Sequence, residues 1–274
     1  MRVKPRPALA FAVGIGYAVL FVVLGLIVNI DYDAISESTH NVIWGIVVPL
    51  AVGSLVLAVL TSVLGWWRPV LREQPADPPR PPRWMLAIPV VVLTITLVGI
   101  PWGDLGTLGG SFLLWLAIGT LLVGFSEEIA YRGLAVVGLR GGYSEVRVWI
   151  WSSVLFGLLH GVNVVLGQGI VPTIRQVVFA FVLGSVFYAI RRTTGTIIVG
   201  MVLHGMWDFS ALARAAEAGT SATRGTVDIA SAGVGLIQSL LTLVAVVLFI
   251  VGARKLFPKK APSAPAAEPE AVAS

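Results

Sequence analysis

Glu127-Glu128-Ile129-Ala130-Tyr131-Arg132-Gly133 follows directly on fifteen uncharged residues, Phe112 to Ser126, that read as a membrane helix. A carboxylate near the bilayer centre costs about 2.5–3.5 kcal/mol on insertion scales, so two adjacent ones and an arginine need partners and mark a functional site. The rest of the chain is read for what pairs with them.

The hydrophobic fraction is 57% and the charged fraction 12%. Soluble domains have about 45–50% apolar and 25% charged residues, so the composition indicates a polytopic membrane protein. At about 20 residues per span the 274 residues accommodate an all-α bundle of about eight transmembrane helices and no separate soluble domain. Apolar runs fall at 8–30, 41–65, 84–100, 112–126, 148–159, 172–190, 195–212 and 231–252. The first is too long for a signal-peptide core and lacks a small-residue cleavage site. The fifth is too short to span, so it either continues to Leu166 or breaks near Gly161 toward a cavity. Residues 1–257 thus read as one transmembrane domain with its motif-bearing core at 112–212. Residues 68–83, rich in Pro and Arg, read as an extended cytoplasmic loop, either a semi-rigid spacer or a PxxP-like partner site, and 258–274 as a disordered tail.

Of the 19 Lys and Arg, all but Arg175, Arg214 and Arg224 fall on the side of the two termini when eight spans alternate. The positive-inside rule then puts both termini in the cytoplasm. These basic residues flank apolar runs instead of forming a patch, which excludes nucleic acid as a partner. No cysteine is present, so thiol catalysis, thiolate metal sites and disulfides are excluded and chemistry falls to carboxylates, histidines and hydroxyls. Arg-rich, Lys-poor, Ala/Val-rich composition suggests a bacterial cell-membrane protein.

Two of the three histidines, His160 and His204, lie inside apolar runs, and His40 lies in a loop. His204 and Asp208 are four residues apart, on one helix face; Phe156 sits one turn before His160; Glu128 and Arg132 share the same spacing and suit an internal ion pair. Glu127 is left as the unpaired carboxylate. At about 1.5 Å per residue, Glu127, His204 and His160 lie about 8, 14 and 18 Å from the cytoplasmic surface, so one cavity opening to the cytoplasm is expected to hold them.

Glu127-Glu128-x-x-x-Arg132, Phe156-x-x-x-His160 and His204-x-x-x-Asp208, in that order on three helices, resemble the three motifs of the CAAX-protease and bacteriocin-processing (CPBP) family of intramembrane proteases, which includes the type II CAAX prenyl endopeptidases. The resemblance implies that Glu127 matches the catalytic glutamate and that His160, His204 and Asp208 match the other active-site positions, with Glu128, Arg132 and Phe156 supporting them. Peptide hydrolysis needs a base for water, a donor or cation for the oxyanion and a proton for the leaving amine.

Two mechanisms stay open. Glu127 and His160 activate water while His204 and its neighbour steady the oxyanion, or His160, His204 and Asp208 hold a zinc ion with Glu127 as base. Relatives often carry Asn at the position of Asp208; an ionised Asp donates no hydrogen bond but ligates metal well, which favours the metal or a protonated Asp208. Expected partners are the bilayer and a peptide, membrane-protein or prenylated substrate. The alternatives are a non-catalytic immunity or scaffold protein, and a proton-coupled transporter, against which the absence of a second Glu-Glu motif counts.

Overall fold

The computed structural model describes residues 1–75, 77–223 and 229–257, with side chains at all of these except 32, 33, 220–223 and 229–234. The expected disordered tail 258–274, with Lys259 and Lys260, lies outside the described residues, as does Arg224.

The protein is all-helical, with no strand among the described residues. The long helices are α1 (Pro7–Val28), α2 (Thr39–Leu64), α3 (Ala87–Gly99), α4 (Gly110–Arg140), α5 (Glu145–Leu159), α6 (Ile170–Thr194), α7 (Ile198–Thr223) and α8 (Ile229–Leu256). They match the eight apolar runs in order. Among the described residues five of them, α1, α2, α4, α6 and the Gly235–Leu256 part of α8, are long and apolar enough to cross a membrane. The structure therefore bears out a multi-pass helical bundle but not the count of eight spans: α5 has 15 residues, and α7 carries His204, Asp208, Arg214 and Glu217.

Helix α5 ends at Leu159 and the chain tightens into a 3₁₀ turn from His160 to Val164. Of the two expectations for this stretch, the break is the one found, and it begins at His160 itself. Within α4, Glu128–Ala135 is wound as a π-helix and every residue of it is buried. Such i→i+5 turns are uncommon and gather at functional sites.

The loops sort to two ends. At one, which we term the basic end, Arg2 N–H bonds Leu64 C=O at 3.0 Å and Trp66 Nε1 donates to Val3 C=O at 2.8 Å. Gly141 packs on Pro5, and Gly252 of α8 packs on Met85. At the other, the loop end, Gly167 packs on Asp31, and Ser36, Thr107 and Ala215 line one recess. Both chain ends, as far as described, lie at the basic end.

The Pro- and Arg-rich segment is docked on the bundle. Arg191 of α6 donates to Glu73 (2.7 Å) and to the carbonyls of Pro69 and Val70 (2.8 and 3.0 Å). Arg192 reaches the carbonyl of Pro79 at 2.8 Å, and Arg140 pairs with Glu73, Asp77 and Glu145 at 3.1, 3.0 and 2.5 Å. Prolines leave their carbonyls without a nearby N–H ladder, and the arginines satisfy them. Burial pushes the Glu73 carboxyl up, but Arg191, Arg140 and Arg192 outweigh it and hold it at about 2.

Helices α4 and α7 meet most closely where both carry glycine. A Cβ on Gly205 would lie 2.9 Å from the Thr120 carbonyl, and one on Gly124 would press on the backbone of Met201 and Gly205. That approach brings the Glu127-Glu128 pair against His204.

Two outcomes follow from this packing. Gly124→Ala should destabilise the protein in thermal unfolding by about 1–3 kcal/mol, the usual overpacking cost, whereas Gly106→Ala, where a Cβ meets nothing within 4 Å, should not. Because the Glu73 value is depressed from 4.5 to about 2, its contribution is present above pH 4.5 and lost as the pH falls through 2. The stability difference between wild type and Glu73→Gln, on the order of 3 kcal/mol at neutral pH, should shrink over that window.

Candidate active site

The residues singled out from sequence are brought together. Glu128, fully buried, pairs with Arg132 at 3.3 Å and faces His204 Nδ1 at 3.2 Å. The first contact is the expected i,i+4 ion pair; the second runs between helices and was not legible in the sequence. Beside Arg132 the Glu128 carboxylate acts as acceptor, so His204 donates from Nδ1 and its Nε2 points the other way. There Nε2 meets Glu127 Oε2 and Asp208 Oδ2, each at 3.7 Å. Glu127 Oε2 is buried and, among the described residues, accepts no hydrogen bond.

Phe156 is the hub of the site and does more than pack beside His160. The Arg132 guanidinium lies over its ring, 3.9 Å from the centroid, and the rings of His160 and His204 meet it edge-on at 5.0 and 5.7 Å. Cation–π attraction of this kind is worth about 2 kcal/mol or more where water is excluded. His160 donates from Nδ1 to the Phe156 carbonyl at 3.0 Å, since a carbonyl only accepts, and its neutral ring is left with an accepting Nε2. Phe187 stacks on His204 at 4.8 Å. Gly184 makes the room: a Cβ there would stand 3.0 Å from Phe156 and 3.1 Å from Arg132.

Several supports were missed from sequence. Tyr17 of α1 donates to Ser126 at 2.8 Å, and Tyr131 donates to the Gly14 carbonyl at 3.1 Å, tying α1 to the carboxylate pair. Arg191 donates to the Arg132 carbonyl, which joins the basic-end network to the π-wound turn. A tyrosine inside one apolar run, and a tyrosine and an arginine just beyond the ends of two others, were the available signal; their partners lie more than fifty residues away.

Glu127, His160, His204 and Asp208 all line one cavity of about 390 Å³, together with Asn163, whose amide donates to Gln176 at 3.0 Å. Along α7 the lining runs from His204 toward Ala215, and Ile35 and Ser36 form its far wall. At Ser36 and Ala215 it meets the recess of about 370 Å³ that also contains Glu37 and Thr107. The cavity thus leads to the loop end.

The proposed metal donors were tested on this geometry. The set is chemically apt, but among the described residues no three of His, Asp and Glu are gathered closely enough to hold a metal ion.

Residues 109–210 match the family model of the Rce1-like type II CAAX prenyl endopeptidases. This segment is an Rce1-like domain. All four cavity-lining candidates and their supports fall within the match, and α1 to α3 and α8 fall outside it. A comparison with curated proteins finds no match. The match supports a peptidase and, with the apolar helices, points to a multi-pass membrane protein.

Breaking a buried ion pair from one side costs about 3–5 kcal/mol. Arg132→Gln should show a loss of that order in thermal unfolding in micelles. Arg132→Lys, which keeps the charge and gives up the plane over Phe156, should lose less.

Proposed function

We propose that the protein is an intramembrane endopeptidase in which Glu127 activates the attacking water. The observation that carries this reading is the position of Glu127: of the two adjacent carboxylates it is the one that lines the cavity, beside His204 Nε2. Glu127 takes a proton from water, assisted by the accepting Nε2 of His160, and the oxygen adds to the scissile carbonyl carbon. The negative charge on the former carbonyl oxygen is met by the Asn163 amide and by His204 in its doubly protonated form, in which Nδ1–H stays on Glu128 and Nε2–H faces the cavity. Asn163 lies three residues after His160 on a 3₁₀ turn, where such positions eclipse, so it presents a neutral donor on the same wall. Glu127 returns the proton to the amide nitrogen as the C–N bond breaks, leaving a new carboxylate and amine. Glu128 and Arg132 take no proton; Glu128 holds His204 by its Nδ1–H and so aims Nε2 into the cavity. The substrate is a peptide, a membrane protein or a prenylated chain.

Mass spectrometry of new N-termini in membranes carrying wild type or Glu127→Gln at equal abundance tests the reading. Cleavage should fall by about 10²–10⁴-fold in the variant. Identical termini in both membranes would remove the peptidase reading and favour an immunity or scaffold role.

A further inference from the structure

We infer that the pocket between α6, α7 and α8 is a second substrate subsite, in which Arg214 holds a carboxylate that the substrate carries about four residues from the scissile bond. The inference rests on the peptidase reading, which supplies the substrate, and adds to it a determinant of which peptides are taken.

The cavity itself offers an anion little. Its ionisable lining is Glu127, Asp208, His160 and His204, and among the described residues no Lys or Arg lines it. The cation stands next door. A pocket of about 540 Å³ is lined by Arg214, Gln238 and Ser239, and it shares Phe179, Trp207 and Ala211 with the cavity. The helix dictates the same neighbourhood: Trp207, Ala211 and Arg214 come three, seven and ten residues after His204 and so fall on one side of α7. Trp207 packs on Phe179 of α6 with ring centroids 5.9 Å apart. A peptide lying along α7 from His204 therefore reaches Arg214 past this aromatic pair. Ten residues of helix are about 15 Å, which an extended peptide covers in about four residues.

Arg214 is equipped to receive an anion. Arg132, Arg140, Arg191 and Arg192 each have a carboxylate within 3.3 Å, whereas Arg214, half-buried on α7, is in no salt bridge among the described residues. Glu217, three residues on, does not line the pocket. One of the five N–H groups of the guanidinium is engaged at the end of α3, where Nη2 donates to the Gly99 carbonyl. That bond fixes one edge of the fork. Gly99 is where α3, α7 and α8 close in, since a Cβ there would stand 2.3 Å from Gln238 Nε2 and 2.9 Å from Ser210 Oγ. Gln238, which also donates to the Ile95 carbonyl at 3.4 Å, sets an amide beside the cation. A planar guanidinium held at one edge is suited to a carboxylate, whether of the chain end or of an Asp or Glu side chain. Arg214 and Gln238 both lie outside the segment 109–210 that matches the family model, so this subsite belongs to the chain's own flanking helices.

Mapping new N-termini by mass spectrometry in membranes carrying wild type, Glu127→Gln or Arg214→Gln tests the inference. Cuts that vanish in Glu127→Gln should carry Asp, Glu or the chain's own C-terminus about three to five residues from the bond, on the same side in each. These cuts should fall about 10–100-fold in Arg214→Gln, the worth of a hydrogen bond to a charged group. A peptide copied from the strongest cut is then given to the purified full-length protein in micelles, with that carboxylate intact or converted to the amide. For wild type the amide should raise KM by the same factor. Arg214→Gln should take both forms at one KM, and Arg214→Lys should recover part of the preference. The wild-type comparison needs no variant, so it decides the matter even where Arg214→Gln does not fold. Glu127-dependent cuts without an acid at that spacing, equal KM for acid and amide in wild type, or equal weakening of both forms by Arg214→Gln would overturn the inference and leave the peptidase reading standing. Cuts unchanged in Glu127→Gln would remove that reading and this inference with it.

Discussion

Glu128 and Arg132 bring full charges to a place that water scarcely reaches, being 0% and 1% exposed, and much of the central architecture answers that requirement. An unpaired ion there would cost several kcal/mol. The pair is stabilised by attraction across 3.3 Å, by the Phe156 ring beneath the guanidinium and by His204 donating to the carboxylate. Each partner comes from a different helix, so the ion pair fixes how α4, α5 and α7 meet. Glycines at 124, 184 and 205 are where the backbones and side chains come close enough for that to happen.

Adjacent carboxylates therefore have different work. Glu128 faces inward to its cation and orients an imidazole; Glu127, one residue earlier, lines the cavity. The same imidazole joins them, Nδ1 to one and Nε2 to the other. Behind this lies a second polar layer at the basic end, in which Arg191 bridges Glu73 and the backbone of the π-wound turn. Loop and site are thus one connected structure, which explains why a proline-rich segment that has no core of its own is held in place.

What could be read from the sequence was what local geometry determines. The apolar runs gave the helices, and the i,i+4 spacings gave Glu128 with Arg132 and His204 with Asp208. Charges in apolar runs marked the residues that the fold collects in one cavity. The contact of His204 with Glu128 was hidden because it depends on a helix crossing 76 residues apart in sequence. The docking of 68–83 was hidden for the same reason: composition reports that a segment lacks a core, not that distant arginines will bind its carbonyls. The break at His160 was half legible, since a twelve-residue run is too short to span, but the 3₁₀ turn that places it needed the structure. Depth counted along single helices put the groups near one surface; the direction in which the cavity opens depends on which side chains line it.

The division between the two carboxylates is most directly tested by measuring thermal unfolding and cleavage for Glu127→Gln and Glu128→Gln in parallel. The account predicts that Glu127→Gln unfolds like wild type and does not cleave, while Glu128→Gln loses about 3–5 kcal/mol of stability because Arg132 is left without its counter-ion. Equal loss of stability in both variants, or cleavage surviving in Glu127→Gln and lost in a stable Glu128→Gln, would contradict it.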